Sequence, residues 1–396
     1  MKRLRTLPTS RLLILVFALL FFSVAGTALA VVTRSDTGPV PPPEPLAQAL
    51  HDALAATPPE GIQADITFKN NLFPSGALLG SAGSPLLSGA HGRLWVTSDG
   101  NGRIELQSDN SGDAQIVWSP TEVTVYDASS NTIYKAALPA RSSTTPDQGA
   151  LPTVAQISDF LTNAGADVSV SDANPVDVGG LAAYSVTVAP KHDGGLLGSV
   201  ELAWDAATGV PLRAAVYAQG ATPPGGAPVL EVALSNVQYL SAASIQGDIV
   251  APNPPGAKVV QLDTSGRPSS STPDQGTPPV TGLAAVQAAA GFPVAAPDAL
   301  VGLPLKDVRL VGGDKVVAVY GQGLGAIAVL ERQADASAPS GGGLSSLPTV
   351  SLDGVSAHEL ATQLGTVLEW QSGGVDYVLA GSLPSAAAED AARALK

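Results

Sequence analysis

A chain of 396 residues, 45 % apolar and only 14 % charged, has ample material for a hydrophobic core and room for two domains. Its net charge of −14 repels a phosphate backbone and excludes nucleic acid as a partner. The absence of cysteine excludes disulfides, thiolate metal sites, catalytic thiols and lipid attachment through an N-terminal cysteine.

The 42 Gly and 33 Pro, set among many short apolar runs, favour strands and turns over helices. The expected class is α+β, mainly antiparallel β. At the N-terminus, Lys2, Arg3, Arg5 and Arg11 precede the apolar run from Leu12 to Ala25, which continues through Leu29 to Val32. No acid lies in the first thirty residues, so removing these four basic residues would take the net charge from −14 to −18. Ala28-Leu29-Ala30 has the small-x-small form cut by signal peptidase, yet the run is also long enough to cross a bilayer, which needs about 20 apolar residues. Residues 1–33 therefore read as a signal peptide or a membrane anchor. Either way, the positive flank puts the body outside the cytoplasm, anchored to the cytoplasmic membrane or secreted.

Residues 34–45, with Gly38 to Pro45 (GPVPPPEP), read as a stiff spacer. A helix is expected from Pro45 to Thr57, where Leu46, Ala49, Leu50, Ala53 and Leu54 share a face and Pro58-Pro59 stops it. Ile62 to Lys69 alternates strictly, with Ile62, Ala64, Ile66 and Phe68 on one side, as in a strand buried on one face. Leu72 to Gly89 is a long apolar loop, suited equally to packing on the core and to covering a cavity. A meander follows at Gly92–Thr97, Arg103–Gln107, Gln115–Trp118, Glu122–Tyr126 and Thr132–Ala136, cut by Asp-, Asn-, Ser- and Gly-rich turns.

Arg141 to Gly149 reads as a polar linker and Pro152 to Gly165 as a helix. Strands are expected near Ala166–Ser171, Leu181–Ala189 and Val229–Tyr239. Between the last two, Val200-Glu201-Leu202-Ala203-Trp204, a turn from Asp205 to Gly209, and Leu212–Tyr217 form a hairpin. The first domain spans 46–245. Residues 246–280, rich in Pro, Ser and Thr, read as a linker with one short strand at Lys258–Leu262, and 281–396 as a small α+β domain. In that domain Ala284–Ala290, His358–Leu364 and Ser385–Leu395 are expected helices. Strands are expected at Val308–Leu310, Val316–Tyr320, Ala326–Arg332, Val350–Leu352, Thr366–Gln371 and Val375–Leu379. Thr-Pro-Asp-Gln-Gly occurs at 145–149 and at 272–276, each read as a solvated turn before a helix.

The chemistry-bearing residues do not assemble into a familiar active site. His51, His91, His192 and His358 stand apart from any metal-ligand spacing, and no nucleophile elbow or Walker loop occurs. Gly321-Gln322-Gly323-Leu324-Gly325 lies between two strand-like runs and reads as a hairpin turn. The expectation is a protein that is not an enzyme and needs no cofactor or metal. What remains is the apolar side of a curved sheet. If the two helices pack fully on it, the result is an ordinary core; if they do not, a cavity for an acyl chain is left. Its inward alternates are Ile62, Ile66, Phe68, Leu94, Val96, Ile104, Leu106, Val123, Val125, Val186, Leu202 and Trp204.

The order of elements over residues 46–240 carries a resemblance. IQADITF, RLWV, RIEL, VTVYDASSNTIYKAALP, AAYSVTVAP and ELAWDAATGVPLRAAVY stand in the order of the LolA-like lipoprotein-carrier superfamily. The best local marks are Val123-Thr124-Val125-Tyr126-Asp127 and the Trp204 to Leu212 hairpin. Gly291-Phe292-Pro293-Val294, Pro297–Leu303 and Gly373–Leu383 resemble the small domain that follows in the RseB/MucB sigma-factor regulatory proteins. The resemblance implies an unclosed half-barrel with helices on its concave face and a cavity for a lipid or lipoprotein acyl chain, with the cytoplasmic membrane as a contact of the N-terminal segment. It equally implies a sensor that binds a membrane anti-sigma factor; no local motif for that contact is present, so its residues are not carried over.

Overall fold

In the computed structural model, residues 38–72, 89–108, 113–138, 152–165, 168–191, 195–221, 226–262, 280–334 and 347–395 are described. The N-terminal apolar run, most of the 72–89 loop, the 141–149 linker, both Thr-Pro-Asp-Gln-Gly copies and His192 lie outside them. Among the described residues no helix is long and apolar enough to cross a membrane.

The chain is α+β and mainly antiparallel. Helix α1 is Leu46–Ala55, and strands β1 to β6 are Gly61–Asn70, Ala90–Thr97, Gly102–Gln107, Ala114–Trp118, Glu122–Asp127 and Thr132–Ala137. Helix α2, Val154–Ala164, starts on a capping box between Thr153 and Gln156, which satisfies two end donors. Strands β7 to β12 are Val168–Val170, Asn174–Val178, Leu181–Pro190, Leu197–Asp205, Pro211–Ala218 and Leu230–Leu240. A short helix α3, Ala242–Ile245, leads to β13, Lys258–Leu262. These strands form one open sheet in the order β13-β6-β5-β4-β3-β2-β1-β12-β11-β10-β9-β7, with β8 also on β9.

Two features depart from the sequence reading. The described part of 246–280 folds back onto the large sheet, where β13 runs parallel to β6 from Lys258 opposite Thr132 to Leu262 opposite Ala136. The proline-rich segment before α1 is extended, but it lies on the body: Pro41 is buried, and Tyr184 Oη donates to the Pro42 carbonyl at 2.6 Å.

The smaller unit contains α4 (Leu283–Ala289), α5 (Ser385–Arg393) and strands β14 to β21: Ala299–Leu300, Leu303–Val311, Lys315–Tyr320, Ile327–Gln333, Thr349–Leu352, Val355–Ala361, Thr366–Ser372 and Val375–Gly381. Their order is β14-β15-β16-β17-β21-β20-β19-β18. The expected helix at His358–Leu364 is a correction: Val355–Ala361 is strand β19, paired to β18 on one side and β20 on the other. Asp353 (φ 48) and Gly354 (φ 96) make the tight hairpin turn that sets this register, and the pairing on both edges overrides the local helical preference of His-Glu-Leu-Ala. Gly321 to Gly325 is the expected hairpin turn between the paired β16 and β17.

The two units meet through backbone and side-chain hydrogen bonds. Leu196 N–H donates to the Ser382 carbonyl at 3.0 Å, Leu197 N–H to Ser382 Oγ at 2.7 Å, and Gln363 N–H to the Leu72 carbonyl at 3.2 Å. Gln363 Nε2 also donates to the Asn71 carbonyl. The smaller unit is thereby clasped to the end of the large sheet where β1 finishes and β10 starts.

On the outer face of the central strands, burial reaches charged side chains. Arg213 bonds Glu201 at 2.7 Å and Glu231 at 2.6 Å, and Lys69 bonds Glu231 at 2.7 Å. Tyr217 Oη donates to Glu201 at 2.9 Å and accepts from Arg213 at 2.9 Å. Burial pushes the Glu231 carboxyl up, but Arg213 and Lys69 outweigh it and hold it below its ordinary range. A carboxyl held low contributes stability above the ordinary value of 4.5 that is lost as pH falls. Replacing Arg213→Met leaves two buried carboxylates without their common cation and costs about 3–5 kcal/mol, read from the urea midpoint at pH 7. Adding Glu201→Gln and Glu231→Gln recovers part of that loss; a single mutant within 1 kcal/mol of the parent (about the net value of an exposed pair) would show that the network contributes nothing.

Candidate functional site

Ladder register decides which side chains share a face, because residues directly opposite one another point the same way. From β1 outward, Ile62 lies opposite Val96, Ala64 opposite Leu94 and Ile66 opposite Gly92. Leu94 then meets Ile104, and Gly92 meets Leu106. Through β4, Ile104 connects to Ile116 and Val125, and Trp118 to Val123. In the other direction Phe68 meets Val232, which meets Ala214, then Leu202, then Val186. Trp204 lies opposite Tyr184. By these ladders the residues singled out from sequence fall on one face of the large sheet, apart from Ile62, which packs with Ala183, the neighbour of Tyr184 that alternates to the other face.

They do not form one continuous patch. Ile66, Leu94, Ile104 and Leu106 are buried together, with Val96 and Trp118 packed against them. Val186 and Trp204, with Leu202 alongside, belong to a second cluster. Ile62 packs with a third, around Ala183, Val210 and Leu212. Phe68 is 1 % exposed, whereas Val123 and Val125 toward the β6 edge are half-buried.

The second cluster is where helices meet the sheet. Leu46, Ala49, Leu50 and Ala53, the apolar face expected of α1, lie against Tyr184, Val186, Leu202 and Trp204. Leu161 of α2 joins them, but α2 is otherwise mostly exposed: Ile157 is buried and Phe160 is 38 % exposed. The Tyr184 and Trp204 rings sit 6.2 Å apart at 44°. Burial, then Glu44, pushes the Tyr184 hydroxyl up to about 12, so it remains a neutral donor to Pro42. Trp204 Nε1 is buried with no hydrogen-bond partner among the described residues. A donor left so costs about 1–3 kcal/mol, which makes it the one polar demand in this wall.

The turn from Asp205 to Gly209 anchors α1 as well as joining two strands. Asp205 is 4 % exposed. Its carboxylate accepts from Ala207 N–H at 2.9 Å, from Thr208 Oγ1 at 2.8 Å and from Tyr239 Oη. Burial, then Asp205, raises the Tyr239 hydroxyl well above its ordinary value. Gly209 (φ 69) lies so close to α1 that a Cβ would come within 2.4 Å of the Ala53 carbonyl. Sequence marked this turn by Asp and Gly; the closeness to α1 has no sequence signal, because it joins residues far apart in the chain.

A pocket of about 360 Å³ opens elsewhere, between the β2–β3 and β4–β5 turns and the segment around α3. Asp99, Trp118, Glu122, Thr124, Gln246 and Ile249 are among its walls. None of the twelve inward residues lines it.

No family model and no curated protein matches this chain. Among solved structures it is similar to MucB in complex with MucA(peri), at 16 % identity and a TM-score of 0.39, over 89 % of this chain and 96 % of that one. It is similar to the Pseudomonas aeruginosa MucA/MucB complex at 15 % identity and a TM-score of 0.41, over 88 % and 96 %. An uncharacterized conserved protein from Thermus thermophilus aligns at 12 % identity and a TM-score of 0.31, over 55 % of this chain and 97 % of that one.

Gly209→Ala meets both a left-handed backbone and the Ala53 carbonyl. It lowers stability by about 2–3 kcal/mol and raises the rate at which protease cuts α1. Denaturant titration with limited proteolysis checks this; an unchanged cutting rate would sink the anchoring role of the turn.

Proposed function

We propose that this chain is an extracytoplasmic, membrane-tethered, non-enzymatic regulatory protein that docks a membrane regulatory protein. An anti-sigma factor is the partner class its sequence resemblance implies. The observation that carries this reading is that α1 covers the inner wall at Val186, Leu202 and Trp204. A carrier must offer an alkyl chain unoccupied apolar space, but Leu46, Ala49, Leu50 and Ala53 already lie on Val186, Leu202 and Trp204. Those contacts supply the burial that a ligand would otherwise gain, at about 0.8 kcal/mol per methylene. The clasp through Ser382 and Gln363 supports the same reading, since it presents two surfaces to a partner in fixed relation. The basic flank before the apolar N-terminal run supports the location.

The second reading is the lipid or lipoprotein acyl-chain binder, with the chain held in the half-barrel. The apolar side chains that ladder register puts on one face favour it, as does the unpartnered Trp204 Nε1 beneath α1. In this reading α1 would leave the wall and an acyl chain would replace it.

Purification of the full chain from host membranes separates the two. The first reading expects one membrane protein at equal stoichiometry, an interaction weakened at least fivefold when Ser382→Pro and Gln363→Ala loosen the clasp, and less than 0.1 equivalent of lipid by mass spectrometry. About one equivalent of bound lipid with no protein partner would replace it with the second.

A further inference from the structure

The smaller unit buries an acid in its apolar core. Glu331 on β17 is 0 % exposed. By register it stands between Val316 and Tyr377, on the face that packs the core. Its Oε2 accepts from Ala295 N–H at 2.8 Å, while Oε1 has no partner among the described residues.

Ala295 belongs to an arm, Gly291 to Pro297, that runs between α4 and β14 without regular structure. Phe292 is buried, and Val294, Ala295 and Ala296 pack against the core. Pro293 and Pro297 have no N–H to give. Among the described residues, the Ala295–Glu331 bond is the one hydrogen bond that this arm makes. A stretch of seven residues is thus pinned at its middle by a buried carboxyl.

Among the described residues, the groups around Glu331 offer it no cation. Tyr320 on β16 and Tyr377 on β21 share its face, and Tyr320 Oη is itself unpartnered. Glu359, farther along on β19, stands opposite Leu368 on the same face and also has an unpartnered oxygen. Helix α4 (Leu-Ala-Ala-Val-Gln-Ala-Ala) holds no ionisable residue. Helix α5 turns Ala388, Ala391 and Ala392 to the core, while its Arg393 pairs with Glu389, Asp390 and Asp353. On β15 the buried residue is Val308; Lys306 and Arg309 are exposed, and Asp307 pairs with Arg309. Asp298, just beyond the arm, is exposed.

We propose that Glu331 is a proton-operated latch: while protonated it holds the Gly291 to Pro297 arm on the smaller sheet, and on ionising it releases the arm to water. With Oε2 engaged as an acceptor, the proton resides on Oε1, in apolar surroundings. Ionisation strengthens the bond from Ala295 N–H but leaves the charge without a cation, and in this proposal the desolvation cost outweighs that bond, so that opening of the arm to admit water is favoured. Burial, partly offset by the Ala295 N–H, pushes this carboxyl up from 4.5 to about 7. The sign follows by linkage. A group whose pKa is higher when the arm is closed favours closure fully below about 4.5, and the bias shifts toward opening until about 7 is passed. The working range is therefore near neutral pH. Release would uncover Phe292 and Val294.

Hydrogen exchange of the full chain, corrected for intrinsic rates, tests the latch. Protection at Ala295 is expected to fall at least tenfold between pH 5.5 and 8.5, while peptides from β16 and β17 hold theirs. Glu331→Gln, neutral throughout and still able to accept from Ala295, is expected to show no such fall. A flat profile in the parent, or an equal fall in the variant, overturns the proposal. If the variant does not fold, carboxyl carbon NMR of the parent decides: titration near 7 supports the latch and titration near 4.5 overturns it.

Discussion

The pairing of β1 with β12 is the contact on which the rest of the large sheet depends. It runs from Gly61 opposite Leu240 to Asn70 opposite Leu230 and joins segments some 160 residues apart in the chain. On one side of it stands the meander β2 to β6, and on the other the strands β9 to β11. Without it there would be two separate meanders, each with an uncovered face. The loop-closure cost of this pairing rises only slowly with length, so the many contacts along it can offset that cost. A bulge between Gln63 and Asp65 sets the bend: Asn236 takes φ 50, and its Nδ2 bonds Asp65 at 2.7 Å.

Register then distributes chemistry between the two faces. The inner face takes Ile, Leu, Val and Trp from strand after strand, and α1 covers part of it. The outer face carries the Lys69, Arg213, Glu201, Glu231 and Tyr217 network beneath enough protein to bury it. A buried charge network tolerates little error in position, since removing one member strands the others. A one-residue slip of any of these strands would also carry its members of the network to the opposite face. The inner wall, the Asp205 turn and α1 form a mechanical unit: Asp205 orders the turn, Gly209 lets it approach Ala53, and the helix closes on Trp204.

How much of this was legible in the sequence follows from the range of each signal. Strict alternation in Ile62 to Lys69 and in Val200 to Trp204 identified both strands and the inward side, because period two is a local property. The capped helix at Val154 and the Gly321 to Gly325 turn were legible for the same reason. His358 to Leu364 was misread as a helix, although the Asp353-Gly354 pair upstream is a hairpin signal; two flanking strands, far away in the chain, decided the outcome. The strand Asn174–Val178 and the return of Lys258–Leu262 to β6 were missed or left as a short linker strand, since an edge position is defined by its neighbour.

Composition, period and turn chemistry determined the class and most of the strands and helices. These depend on side-chain volume and backbone preference within a few residues. Tertiary structure alone decided that α1 covers the wall at Val186, Leu202 and Trp204, that Ser382 and Gln363 clasp the two units, and that Glu331 is buried beneath the arm at Ala295. Each of those is a meeting of residues distant in the chain, fixed by register and close packing, which no local pattern encodes.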